Sequence, residues 1–291
     1  MLTNVSMHRR LLLRLTSLLL LSGFSIQVHA VELAAREALS ADGLQIAYAE
    51  GGTGDLTIVF VHGWTCDRSY WSGQLSVFAD RYRVIAVDLA GHGESALGRA
   101  HYSMASFGAD VAAAAAGEDR VVLVGHSMGG PVILQATKLL GDRVLGVIAV
   151  DTLHQIAPPV TSAEQLQAML APLEQNYAAA TEPLLASMFT ESADPQLKRQ
   201  IIDDMLASDR IVGLGALRGM LQMDIAAELS DLDVPLVLIN ANNRPTNFDA
   251  ILSLHPKSEL KLMDGVGHFL MMENPDRFND LLLGAIQTFI N

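Results

Sequence analysis

Val121-Val122-Leu123-Val124-Gly125-His126-Ser127-Met128-Gly129-Gly130 decides how this chain folds. Four apolar residues of strand character lead into a serine flanked by glycines two positions to either side, and a helical pattern runs on from Ser127 to Leu140. This is G-x-S-x-G in strand, turn and helix context, the nucleophile elbow. A turn so tight leaves no room for side chains at positions 125 and 129, and it holds Ser127 strained with its hydroxyl presented outward. Gly130 extends the close approach, and the helix starting here directs its positive end at the same place. Ser127 is therefore the candidate nucleophile.

Outward from the elbow, short Val- and Ile-rich runs alternate with longer helical patterns, which predicts βα units and a mostly parallel, doubly wound α/β sheet. The runs are Leu44 to Tyr48, Thr57 to Val61, Arg83 to Val87, Arg120 to Val124, Leu145 to Val150, Pro235 to Asn240 and Leu260 to Met263. Gly51-Gly52-Thr53-Gly54 reads as a hairpin turn between the first two, so the sheet is expected to open antiparallel. Helical patterns fall at Met104 to Ala116 and Pro275 to Ile290 as well. More than 80 residues with helical periodicity separate Asp151 from Pro235, far beyond a plain crossover, so residues 152–232 are expected to form an inserted helical lid between two parts of one core, 31–151 and 233–291. The insertion is rich in Met and Leu and poor in Lys and Arg between 152 and 187, which predicts a pocket for neutral, apolar groups of small to medium size.

His62-Gly63-Trp64 follows the Thr57 to Val61 run directly. Acyl transfer places negative charge on a carbonyl oxygen, which two fixed backbone N–H groups stabilise, and these are assigned to Trp64 and Met128. Trp64 and Phe269 are also assigned to the substrate pocket wall. Of the nine histidines, His268 in Asp264-Gly265-Val266-Gly267-His268-Phe269 follows the last strand, at the sheet edge where Ser127 emerges. His8 and His29 lie in the first 30 residues, before the first strand-like run, His126 sits in the elbow turn, His92 and His101 lie on the loop after Arg83 to Val87, and His255 precedes the last strand. His268 is therefore the candidate general base.

Val61-His62-Gly63-Trp64, Asp88-Leu89-Ala90-Gly91-His92-Gly93-Glu94-Ser95, Gly125-His126-Ser127-Met128-Gly129-Gly130 and Gly265-Val266-Gly267-His268-Phe269 together resemble the α/β-hydrolase family over residues 40–291. The resemblance implies a Ser, acid, His triad and hydrolysis without a cofactor, across esterases, lipases, lactonases, carbon-carbon hydrolases and cofactor-free haloperoxidases. The chain departs from the common pattern at the acid: after Pro235 to Asn240 it reads Ala241-Asn242-Asn243-Arg244. An amide cannot stabilise the imidazolium that forms on the histidine. Some members take the acid from the end of the preceding strand, here Asp151, with Asp249 as the alternative. The expected activity is hydrolysis of a largely apolar carboxylic ester of small to medium size. The alternatives are a carbon-carbon hydrolase, a perhydrolase, or a slow-turnover ligand receptor on the same fold.

Met1 to Ala30 holds Arg9, Arg10 and Arg14 and no acid, then the 12 residues Leu15 to Ile26 and Val28-His29-Ala30. That is the layout of a secretory signal cut after Ala30, and the apolar stretch is shorter than the roughly 20 residues of a membrane span. Translation from Met1 or from Met7 preserves it. Periplasmic or secreted protein is expected, without stable membrane insertion once the signal is removed. Removal leaves sixteen basic against thirty-two acidic residues, a net charge of −16, which disfavours nucleic acid as a partner. Cys66 is the only cysteine, so neither an internal disulfide nor a thiolate-rich metal site can form.

Overall fold

The Val- and Ile-rich runs become the middle of one sheet, because residues apolar on both faces are stable only where helices cover both sides. In a computed structural model, residues 33–290 are described; the expected secretory signal at 1–30 lies outside them. Eight strands are present among the described residues: β1 Ala34–Leu39, β2 Gln45–Gly51, β3 Thr57–Val61, β4 Arg83–Val87, β5 Val121–His126, β6 Val144–Val150, β7 Leu236–Ala241 and β8 Ser258–Met263. Their order is β1-β2-β4-β3-β5-β6-β7-β8, with β1/β2 and β2/β4 antiparallel and the other pairs parallel. Every residue of β3 and β5 is buried. Register aligns Val61 with Gly125 and Gly125 with Ala149, so β3, β5 and β6 end level and their loops converge at one edge. That is where open α/β sheets carry their sites.

One expected feature is corrected. The sheet does open antiparallel, but Gly51 to Gly54 is not a hairpin turn between β2 and β3, which are separated by β4. The hairpin joins β1 to β2 through Ser40–Leu44, where Gly43 has φ +83° and Ser40 N–H donates to Leu44 O. The Gly51–Gly54 segment instead crosses over β4. A Cβ at Gly52, whose φ is +70°, would lie 2.1 Å from Tyr82 O, so glycine serves passage against another backbone there. β1 is mostly exposed and carries little apolar periodicity, which is why only its partner is conspicuous in the sequence.

Eleven α-helices are described: α1 Ser72–Phe78, α2 Met104–Ala114, α3 Gly129–Leu140, α4 Ala163–Gln175, α5 Tyr177–Ala186, α6 Pro195–Ala207, α7 Arg210–Leu221, α8 Ile225–Ser230, α9 Phe248–Leu254, α10 Leu270–Glu273 and α11 Pro275–Ile290. The insertion between β6 and β7 folds as α4 to α8, each starting on a residue whose side chain accepts a free N–H of the first turn: Ser162, Asn176, Asp194, Asp209 and Asp224. Among the described residues no helix is long and apolar enough to cross a membrane.

Under the β1/β2 hairpin, Arg99 is buried between Asp110 and Asp42, and Asp110 also accepts from Ser40 Oγ and Ala90 N–H. Removing one member leaves a charge in the interior without its partner. Asp110→Ala is therefore expected to lower unfolding stability by about 3 kcal/mol or more, read from urea midpoints. A loss below about 1 kcal/mol would show that water replaces the carboxylate.

Candidate active site

Four non-glycine residues among those described have positive φ, namely Thr65 at +55°, Ser127 at +52°, Asp151 at +45° and Leu153 at +56°. All four sit at the ends of β3, β5 and β6 or just beyond. Such backbone persists only where the surroundings over-determine it, and it concentrates at sites of chemistry.

The elbow explains its own glycines. A Cβ at Gly125 would stand 2.2 Å from Gly129 O, one at Gly129 2.5 Å from Val61 O, and one at Gly130 2.4 Å from Thr152 Cγ2. Ser127 N–H donates to Val150 O at 2.9 Å, fixing the turn against β6. Among the described residues, no acceptor is found for the backbone N–H groups of Trp64 and Met128.

His268 reaches this point on the β8–α10 loop. Glu273 holds that loop, accepting from Gly267 N–H at 2.9 Å and Phe269 N–H at 3.2 Å, and His268 N–H donates to Met188 O at 2.8 Å. Burial raises the Glu273 carboxyl above its ordinary value, partly offset by those two backbone donors. Ser127 Oγ donates to His268 Nε2 at 2.9 Å, and His268 Nδ1 donates to Asp151 Oδ2 at 2.5 Å. A carboxylate only accepts, so Nδ1 carries the proton and Nε2 has a free lone pair facing the serine.

Asp151 is 1% exposed. Burial alone would raise its carboxyl, but the neighbouring rings of His154 and His268 outweigh burial and hold it well below the usual carboxylate range. Its Oδ1 accepts from Ala241 N–H at 2.8 Å, and Arg244 Nη2 donates to Oδ2 at 3.1 Å. Buried Asn240 ties the two strand ends together, accepting from Thr152 N–H and donating to Thr152 O and Thr246 Oγ1. No hydrogen bond or ion pair joins Asp249, on α9, to His268 among the described residues.

Several contributors were not apparent from the chain. Arg244, in the loop first noted for lacking an acid, reaches back to Asp151 and comes within 3.3 Å of His268 Nδ1. Both nitrogens are donors, so this second approach is repulsive. His126 does more than sit in the turn: its Nε2 donates to His268 O at 2.8 Å, bracing the loop that carries His268. Burial, then the nearby His268 ring, push His126 down to about 3, so it is neutral at ordinary pH. His62 likewise braces structure, donating to Gly63 O and accepting from Leu89 N–H.

Trp64 and Phe269 both line a cavity of about 20 Å³ beside Ser127, together with Cys66, Met188 and Met205. That is room for about one water. The Trp64 indole N–H is committed elsewhere, donating to Gly213 O on α7 at 2.7 Å, and Phe269 stacks on Phe189 with ring centroids 5.2 Å apart. Most apolar residues of the insertion pack against one another or the core; Met188 and Met205 are the two that reach this cavity.

A profile of the family described as the alpha/beta hydrolase family matches residues 58–281. The dihydrolipoyllysine-residue acetyltransferase component of the acetoin cleaving system from Cupriavidus necator is 28% identical, covering 86% of this chain and 68% of that protein, and its counterpart from Pseudomonas putida is 30% identical over 81% and 65%. The chain thus spans about two thirds of the length of these relatives. The pimeloyl-[acyl-carrier protein] methyl ester esterase of Yersinia enterocolitica is 27% identical, covering 81% of this chain and 95% of that one. Among solved structures, a thermophilic esterase from Thermogutta terrifontis superposes with a TM-score of 0.76 at 24% identity, over 88% of this chain and 99% of that chain.

Proposed function

The chain belongs to the α/β-hydrolase family, and from that premise we propose that it is a serine hydrolase acting on a small to medium carboxylic ester whose portion beside the reacting carbonyl is apolar. The observation that carries this reading is the continuous path from Ser127 Oγ through His268 to Asp151, with contacts of 2.9 and 2.5 Å. Ser127 Oγ attacks the ester carbonyl while His268 Nε2 takes its proton, and Asp151 balances the charge that develops on the ring. The oxyanion is held by the N–H groups of Trp64 and Met128. The tetrahedral adduct expels the alcohol, which receives the proton from His268, and leaves an ester of Ser127. Water then repeats the sequence and releases the acid. The ester specificity is supported by the Yersinia relative, which is named as a methyl ester esterase. Export through residues 1–30 belongs to the same proposal.

The nearly filled cavity makes the insertion part of the proposal, as a lid whose Met188 and Met205 must yield before substrate reaches Ser127. Methionine adapts its shape readily, so modest selectivity follows. A panel of p-nitrophenyl esters from acetate to laurate tests the reading, with turnover expected and the optimum among the shorter chains. The double variant Met188→Ala, Met205→Ala should move that optimum to longer acyl groups, with a stability loss of about 2–5 kcal/mol for the buried Met205. An unchanged optimum would place the acyl group elsewhere. A pre-steady-state burst without turnover would favour a ligand receptor.

A further inference from the structure

The Asp151 carboxylate has two oxygens, and the path to Ser127 uses only one of them. Oδ2 accepts from His268, whereas Oδ1 faces a second histidine, with His154 Nε2 3.4 Å away. The chain reaches this arrangement through strained backbone. Asp151 and Leu153 have φ of +45° and +56°, and the turn between them brings a ring three positions on back to the carboxylate. Leu153 has no part in the Ser127, His268, Asp151 path, so its strain serves another purpose. Ala241 N–H and half-exposed Arg244 also hold Asp151, and His154 is the largely enclosed side chain among its supports.

The β7–α9 loop locks His154 in place and fixes which ring nitrogen carries the proton. Asn247 N–H donates to His154 O at 2.8 Å, and Thr246 Oγ1 stands 3.0 Å from His154 Nδ1. Thr152 N–H donates to Asn240 Oδ1 and Thr152 O accepts from Asn240 Nδ2, which sets the orientation of that amide. The second amide hydrogen goes to Thr246 Oγ1 at 3.0 Å, leaving the hydroxyl proton for His154 Nδ1. Nδ1 is therefore the acceptor, and Nε2 bears the hydrogen. That nitrogen is buried without a hydrogen-bond partner, and Asp151 Oδ1 is the anionic oxygen beside it. A contact of 3.4 Å is long, but hydrogen bonds of a catalytic site often tighten only when substrate is bound. Against the burial that raises the Asp151 carboxyl, His154 is the first of the neighbours that hold it well below the usual carboxylate range.

We infer that His154 is a positioning residue of the triad, whose Nε2–H holds Asp151 Oδ1 so that Oδ2 stays aimed at His268 Nδ1. Its effect on turnover rests on the ester-hydrolase reading; the placement and tautomer of the ring do not. The test compares two amides. Asparagine at 154 puts its amide where Nδ1 stands and keeps the Thr246 contact, whereas glutamine puts an amide N–H where Nε2 stands, toward Asp151. His154→Asn should lower kcat for p-nitrophenyl acetate about 10- to 100-fold with little change in KM, the scale of a slightly misplaced catalytic group. His154→Gln should stay within about threefold of the wild type, and in an Asp151→Asn background His154→Asn should cost less than about threefold more, because residues acting as a unit are not additive. Fluorophosphonate labelling needs an activated Ser127 but no ester recognition, so its rate should fall in the same order. In the full-length wild type labelled with 15N-histidine, long-range 1H–15N correlations should show His154, assigned by its absence in His154→Gln, protonated at Nε2 alone. Asparagine matching or exceeding glutamine, an undiminished loss in the Asp151→Asn background, or a proton on Nδ1 overturns the assignment. The expected order of labelling rates with no ester hydrolysed keeps the role of His154 and rejects the ester reading instead.

Discussion

Ser127→Ala is expected to abolish ester turnover and labelling by a fluorophosphonate while leaving the fold unchanged. Ser127 Oγ is the one hydroxyl that donates to His268 Nε2, at 2.9 Å, and it stands where β3, β5 and β6 end together. Alanine removes both the atom that forms the acyl ester and the proton that His268 accepts. Knocking out a serine of this kind costs about a millionfold in kcat, and what persists comes from binding and oxyanion stabilisation. The variant should keep its thermal transition, because the backbone N–H at position 127 still donates to Val150 O, and the β-carbon strain at φ +52° is common to both residues. Fluorophosphonate labelling of a different serine in the variant, shown by peptide mass spectrometry, would overturn the nucleophile assignment.

The second large effect is at the acid. Asp151→Asn is expected to lower kcat about ten-thousand-fold, roughly 5 kcal/mol in the barrier, with little change in KM. The reason is electrostatic and tautomeric together. The carboxylate accepts from His268 Nδ1, which leaves Nε2 free to take the serine proton, and its charge favours the imidazolium. An amide turned to donate toward Nδ1 would select the opposite tautomer. Arg244 raises the cost further, because at 3.3 Å from Nδ1 its positive charge would act on the ring without the neutralising carboxylate. Asp249→Asn, with no contact to His268, should leave kcat within about tenfold. Near-normal turnover in Asp151→Asn, or a collapse in Asp249→Asn, would move the acid role away from Asp151.

What the chain itself determined is local and periodic. The β-strand runs and the Gly125–Gly130 elbow are legible because each reflects a constraint within a few residues: burial on both faces, and a turn without space for Cβ. His268 could be selected by its place after the last strand, because parallel strands bring their following loops to one edge. The choice between Asp151 and Asp249 stayed open in the sequence, and only tertiary structure decides which carboxylate stands within 2.5 Å of His268 Nδ1. The same holds for the partner of β2, since pairing across a sheet depends on strand order and not on the nearest glycine-rich turn. Arg244 and His126 carry no signal in composition or spacing. Their roles arise from side-chain directions, which are set when distant segments pack together.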